Sequence, residues 1–102
     1  MRRVIFLDIL TPGDAVDVSA FLKLILPTEE EISIEGFPRP LIEGLVAEKI
    51  PFERIYRELS GKVREGESVM LVVPRSLMRS EDDVQLLDFL SGHESVDKIR
   101  FM

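Results

Sequence analysis

The sequence contains no cysteine, no tryptophan and no asparagine, and it has one glutamine and one histidine, His93. Without cysteine the chain has no disulfide framework, no thiolate nucleophile and no cysteine-ligated zinc or iron–sulfur site. A single histidine, expected in a loop at the far edge of the sheet, argues against histidine-based acid–base chemistry or a catalytic triad. Depletion of asparagine, glutamine and cysteine is typical of hyperthermophile proteins, and we therefore expect a thermophilic source.

Long apolar runs are also missing. No stretch approaches the roughly 20 apolar residues that a membrane-spanning helix needs. Two arginines precede the apolar run Val4–Leu7, as in a signal peptide, but Asp8 interrupts that run after four residues. We therefore expect a cytoplasmic protein that makes no contact with a membrane.

The overall composition is typical of a globular protein. The 102 residues are 45% hydrophobic and 31% charged, which predicts a single globular domain over residues 1–102. The net charge of −6 repels polyanions on average, and the basic residues are scattered along the chain. Because nucleic-acid binding needs a concentrated basic surface, we expect no DNA or RNA partner.

Four segments have the patterns of β-strands. Residues 3–10 and 67–73 are almost continuously apolar, which is typical of strands buried on both faces of a parallel sheet. Residues 31–35 alternate between polar and apolar side chains, which predicts a strand with one buried face. A short last strand is expected over residues 97–102, and it and the alternating strand are the expected sheet edges.

Helical patterns separate these strands. Asp14 is the expected N-cap of a first helix that ends at Pro27. Pro51 is expected to break or kink the second helical segment near Ile50, and Gly61 is expected to be its C-cap. Ser80 has capping-box spacing at the start of a third helical segment. The order β-α-β-α-β-α-β predicts a four-stranded, mostly parallel sheet with helices on both faces.

Three loops are expected at the carboxyl edge of this sheet, where ligands bind in open parallel sheets. They are residues 11–14, 36–40 and 74–76, and they carry four candidate ligand-binding side chains: Thr11, Arg39, Arg75 and Ser76. Guanidinium groups and helix N-termini both favour anions, which indicates a small phosphate- or carboxylate-bearing ligand. The alternative is that these prolines and arginines only terminate and solubilise the loops.

Carboxylates are expected at the same edge, and they define a second hypothesis. Asp8, Asp14 and Glu35 could together hold a divalent cation, as a metal-dependent hydrolase or nuclease requires. An aspartate late in the first strand is loosely similar to haloacid-dehalogenase-like hydrolases and PIN-domain nucleases. Leu10, however, stands where the dehalogenase-like pattern has its second aspartate. Asp14 is explained more simply as a helix cap.

The leading interpretation is therefore a non-catalytic binding or interaction module that takes a small anion or a protein partner. The metal-dependent enzyme is the first alternative, and a structural subunit of a larger complex is the second. Whether the protein binds a cofactor is unknown from the sequence. The apolar ends of the edge strands, including Phe101 and Met102, favour a homodimer that covers them, although they could equally close the core of a monomer.

Overall fold

The computed structural model describes residues 2–26, 31–64, 66–77 and 81–102. Strands and helices alternate along the chain, except that two helices follow one another between the second and third strands, and a short 3-10 turn lies at Arg75–Leu77. The elements are β1 (Arg2–Phe6), α1 (Pro12–Ile25), β2 (Ile32–Gly36), α2 (Arg39–Val46), α3 (Phe52–Lys62), β3 (Val69–Val73), α4 (Glu81–Ser91) and β4 (Val96–Phe101).

The four strands form one parallel sheet in the order β2-β1-β3-β4. Val4 of β1 is in register with Ile34 on one side and with Met70 on the other, and β3 continues the sheet to β4. The predicted four-stranded α/β architecture is therefore confirmed, and every pairing is parallel. The two strands predicted to be edges, β2 and β4, are the edges.

Helices cover both faces of the sheet, as predicted, but unequally. Successive side chains of a strand point to opposite faces. On one face the buried side chains of the sheet pack against α1, and this layer is Val4, Phe6, Val18, Leu22, Leu26, Met70 and Val72. On the other face the sheet packs against α2, α3 and α4, through a larger cluster that includes Ile5, Leu41, Ile42, Leu59, Leu71 and Leu90.

Several element boundaries differ from those predicted. β1 ends at Phe6 rather than at residue 10, although the apolar run continues. Helix α1 starts earlier than expected, with Thr11 rather than Asp14 as its N-cap, because Pro12 fits the first helical turn. Gly61 lies inside α3 rather than capping it, and the helix ends one residue later at Lys62.

The break predicted at Pro51 is confirmed. Helix α2 ends at Val46, a turn with Glu48 in the left-handed region (φ 56°) follows, and α3 begins at Phe52. The helix end expected at Pro27 and the cap expected at Ser80 lie outside the described residues.

Candidate functional site

The pairing between β1 and β3 ends at the carboxyl edge of the sheet. The β1–β3 ladder ends where the amide of Leu7 donates to the carbonyl of Val72 at 3.0 Å. To continue the parallel ladder, the amide of residue 74 would have to donate to the Leu7 carbonyl. Pro74 has no N–H, and therefore the two strands separate at this point.

Beyond the end of the ladder, the segments that follow β1 and β3 make backbone hydrogen bonds on opposite sides. The carbonyl of Asp8 accepts from the amide of Phe37 at 2.9 Å, on the β2 side. The carbonyl of Val73 accepts from the amide of Met102 at 3.0 Å, on the β4 side. The strand order reverses here, and in open α/β sheets this switch point is where ligands bind. We call this space, between residues 8–11 and 74–76, the switch-point crevice.

Gly36 holds one wall of the crevice in place. A Cβ atom at this position would lie 2.8 Å from the amide nitrogen of Leu10 and 2.9 Å from the carbonyl oxygen of Asp8. The absence of a side chain therefore lets the β1–α1 loop pack directly against the end of β2. This close approach leaves the crevice on the β3 side of the loop.

Thr11 lies at this wall, at the start of α1. Its Oγ1 accepts from the amide of Asp14 at 3.1 Å and donates to the Asp14 carboxylate at 2.8 Å. The hydroxyl thus satisfies one of the amides that a helix N-terminus leaves unpaired. Thr11 is at the predicted edge, but its hydroxyl is already used within the chain.

Arg75 lies at the opposite wall. Its amide donates to the carbonyl of Met102 at 3.1 Å, which ties the residue to the end of β4. Its side chain is exposed, and its guanidinium makes no hydrogen bond or ion pair with the described residues. Ser76 follows it in the 3-10 turn. The sequence-based placement of both residues after β3 agrees with the structure.

Arg39 is separated from Arg75 by the end of β1. It begins α2, and its Nε lies 3.1 Å from Oε1 of Glu43, in an ion pair whose arginine side chain is 75% exposed. Adjacent strands are about 4.8 Å apart, so the ends of β2 and β3 are about 10 Å apart. Arg39 is therefore at the predicted edge but outside the switch-point crevice.

The three candidate carboxylates do not form one cluster. Asp8 accepts from the amide of Ile9 at 2.7 Å, and Asp14 is bonded to Thr11. Glu35 instead binds Arg3, whose position at the start of β1 lies toward the amino edge. Across the described ranges, no group of three His, Cys, Asp or Glu side chains is arranged to hold a metal ion.

Arg100 is a residue that the sequence analysis did not single out. It lies on the same face of the sheet as Val72, and its Nε is buried without a hydrogen-bond partner. Lys98, two residues before Arg100, lies on that same face, and Ile99 between them lies on the opposite face. Charged and apolar residues alternate over Lys98, Ile99, Arg100 and Phe101. This pattern could have identified Arg100, because it indicates a strand with one polar face and one apolar face.

His93 lies at the amino edge, away from the crevice, as its place before the last strand predicted. Its Nδ1 accepts from the amide of Ser95 at 3.2 Å. It borders a surface depression of about 560 Å³ that is also lined by Phe89 and Glu94. The histidine is thus part of a loop structure and does not face the candidate ligand residues.

These features define the chain as a small doubly wound α/β protein with an arginine beside its switch point. Comparisons with known protein families, with curated proteins and with solved structures found no match to this chain. Within the described ranges, none of the helices combines the length and the apolar character needed to cross a bilayer.

Proposed function

We propose that this chain is a non-catalytic binding module that takes a small anion, such as a phosphate- or carboxylate-bearing metabolite, in the switch-point crevice. The observation that carries the proposal is Arg75, whose exposed guanidinium lies beside the crevice with no partner in the described parts of the chain. Arginine binds carboxylate and phosphate groups through two parallel hydrogen bonds, which gives such a site geometric selectivity.

The start of α1 supports the same ligand chemistry from the other wall. The amide of Gly13 is in the first turn, where a helix has no internal acceptor for its N–H groups. Space around Gly13 is open, since an added Cβ would meet only Thr11 Oγ1, at 3.9 Å. An anion between this amide and Arg75 would interact favourably with the helix dipole and with the guanidinium.

The test is the thermal unfolding midpoint measured with inorganic phosphate and with a panel of phosphorylated and carboxylated metabolites. A ligand that binds only the folded state stabilises it by about 2.7 kcal/mol at a hundredfold excess over Kd. We expect at least one anion to raise the Tm of the parent protein. We expect Arg75→Ala to remove that increase.

Two matched variants test whether the effect belongs to the crevice. Arg39→Ala removes a guanidinium from the same edge but one strand further away, and Arg54→Ala removes an exposed guanidinium from α3. Both should retain most of the ligand-induced increase in Tm. If all three variants lose it equally, the binding is non-specific electrostatics and the proposal is wrong. Retention by an Arg39→Ala, Arg75→Ala double variant would also contradict it.

The metal-dependent hydrolase or nuclease is tested in the same measurement. It predicts that Mg²⁺ or Mn²⁺ raises the Tm and that Asp8→Asn removes the increase. Asp8 and Asp14 are both near the start of α1, but the Glu35 carboxylate is held by Arg3 and Lys62. The anion site is therefore the hypothesis that the geometry supports better.

The remaining hypothesis is a structural subunit that binds another protein. Several large apolar side chains are exposed, namely Val16, Leu24, Val46, Val84, Phe89, Phe101 and Met102. If no small ligand changes the Tm, affinity capture of protein partners with the intact chain is the next experiment. Loss of a captured partner on substitution of one of these side chains would favour the structural role.

A further inference from the structure

One face of the sheet is stepped, because α1 covers only part of it. Among the described elements α1 is the one helix on this face, whereas three helices pack on the other. Beside α1, the β4 side chains form the surface, with Lys98 in register with Met70 and Arg100 with Val72. Met102 continues this row and is partly exposed. We call Lys98, Arg100 and Met102 the β4 row.

The outer side of α1 has an apolar ridge. Val16, Ala20 and Leu24 are spaced four residues apart, which places them along one side of the helix. Val16 is 68% exposed and Leu24 is 85% exposed. A helix that is apolar on its outer side as well as its inner side has a second surface to bury.

Charges on this face lack partners within the described chain. Asp17, on α1, makes no ion pair there, and neither do Lys98 and Arg100. Because Asp17 is on the helix whereas Lys98 and Arg100 are on the strand, an arrangement that places α1 over the β4 of a second copy brings this acid to these bases.

We propose that this face forms a twofold homodimer in which the α1 ridge of each copy lies over the β4 row of the other. The axis runs along the strands, because only then does each α1 lie over the partner's β4 rather than over the partner's α1. Such an interface is isologous, so every favourable contact occurs twice. This inference does not depend on the proposed anion site.

The positions of the α1 and β4 residues along the strand direction agree with this arrangement. With the axis along the strands, both copies of α1 begin at the same carboxyl edge. Asp17 is about 7 Å from the start of α1, at 1.5 Å per residue, and Arg100 is one residue before the end of β4. Both residues are therefore near the carboxyl edge, and the proposed arrangement brings Asp17 of one copy near Arg100 of the other. Leu24 lies about 10 Å further along the helix, toward the apolar stem of Lys98.

The charge of the chain restricts which face can associate with itself. Two copies of net charge −6 repel each other, so a stable interface must avoid a local excess of acids. The charged residues on α1 and the β4 row are Asp14, Asp17, Lys23, Lys98 and Arg100. With two acids and three bases among them, this face is not negative, unlike the chain as a whole.

The test is the molar mass in solution, by sedimentation equilibrium or light scattering. The parent protein should have twice the chain mass of 11.6 kDa. Leu24→Lys should raise the dimer Kd by about tenfold or more. Val46→Lys is its matched control, since Val46 is also an apolar residue in the last turn of a helix, 66% exposed, but lies in α2 on the other face.

A charge exchange tests the pairing itself. Asp17→Arg and Arg100→Asp should each weaken the dimer, and the double exchange should restore it, because acid and base then meet again with their roles reversed. Circular dichroism and urea unfolding establish that each variant is folded. A monomeric parent protein, equal effects of Leu24→Lys and Val46→Lys, or no rescue by the double exchange would overturn the proposal.

Discussion

Arg3 and Glu35 are joined across neighbouring strands, with Nη2 and Nε of Arg3 at 2.6 and 2.8 Å from the same carboxylate oxygen of Glu35. Nζ of Lys62 lies 3.5 Å from the other oxygen, and Nη1 of Arg3 also binds Glu67 at 2.6 Å. This network links β1, β2, the end of α3 and the segment before β3. It explains why Glu35 does not join the carboxylates at the crevice.

The network makes stability depend on pH. Burial raises the pKa of the Glu35 carboxyl, but the hydrogen bond from Arg3 and the charge of Lys62 outweigh it, so the pKa lies below its ordinary value of 4.5. A pKa lower in the folded than in the unfolded state stabilises the fold above the unfolded value, and this stabilisation is lost as the pH falls through the folded value.

We therefore expect Glu35→Gln to have a shallower acid limb than the parent protein. The measurement is the free energy of unfolding in urea from about pH 6 to about pH 3. Glu43→Gln is the control, because it removes a carboxylate from an exposed pair worth only about 0.3–0.5 kcal/mol. An unchanged slope in Glu35→Gln would show that the network does not contribute to this dependence.

The order of elements and the parallel sheet could be predicted because apolar periodicity reports which faces are buried. The end of β1 could not, because the apolar run that contains it continues into a loop that is also packed. Leu7 is buried against one face of the sheet, and Leu10 packs against the other layer. Hydrophobicity therefore does not distinguish the strand from the loop that follows it.

The candidate site was predictable in position but not in contacts. Parallel topology places Thr11, Arg39 and Arg75 at one edge, whatever the strand order is. Which of them lie together depends on β1 being between β2 and β3, and that is determined by long-range packing. The alternating pattern assigned Glu35 to a polar face, but could not show that this face carries Arg3 and Lys62.

Gly36 and Gly61 should respond oppositely to substitution by alanine. At Gly36 the added Cβ would meet backbone atoms at 2.8 and 2.9 Å, and because backbone cannot rotate away, we expect a loss of about 1–3 kcal/mol. At Gly61, inside α3, the Cβ would meet nothing within 4 Å, and we expect a gain of about 0.5–1 kcal/mol. Urea unfolding of both variants measures the difference, and a neutral Gly36→Ala would refute the close approach.

Thr11 should contribute to stability as a helix cap. Thr11→Ala removes the acceptor of the Asp14 amide, and we expect it to lower the free energy of unfolding by about 1 kcal/mol. Thr11→Ser keeps the hydroxyl and should retain most of the stability. If Thr11→Ala instead leaves stability unchanged but weakens anion binding, its hydroxyl serves the ligand rather than the helix.

Replacing Ser95 or Ser60 by alanine removes a hydroxyl group in either case, but the two changes should affect the free energy of unfolding differently. Oγ of Ser95 donates to the carbonyl of Arg64 at 2.8 Å, which ties the loop before β4 to the segment that follows α3. Oγ of Ser60, in α3, is buried and has no hydrogen-bond partner among the described residues. The two positions therefore differ in whether removing the hydroxyl breaks a bond or removes an unsatisfied group.

We expect Ser95→Ala to lower the free energy of unfolding by about 1 kcal/mol, because it removes one of the two hydrogen bonds that the Arg64 carbonyl accepts, the other being from the amide of Glu67. Ser60→Ala should be neutral or stabilising by up to about 1 kcal/mol, since it removes a buried unsatisfied hydroxyl and favours the helix. Both changes delete one oxygen, so differences in side-chain volume do not affect the comparison. Destabilisation of Ser60→Ala by as much as Ser95→Ala would mean that Ser60 has a partner in solution, such as a bound water.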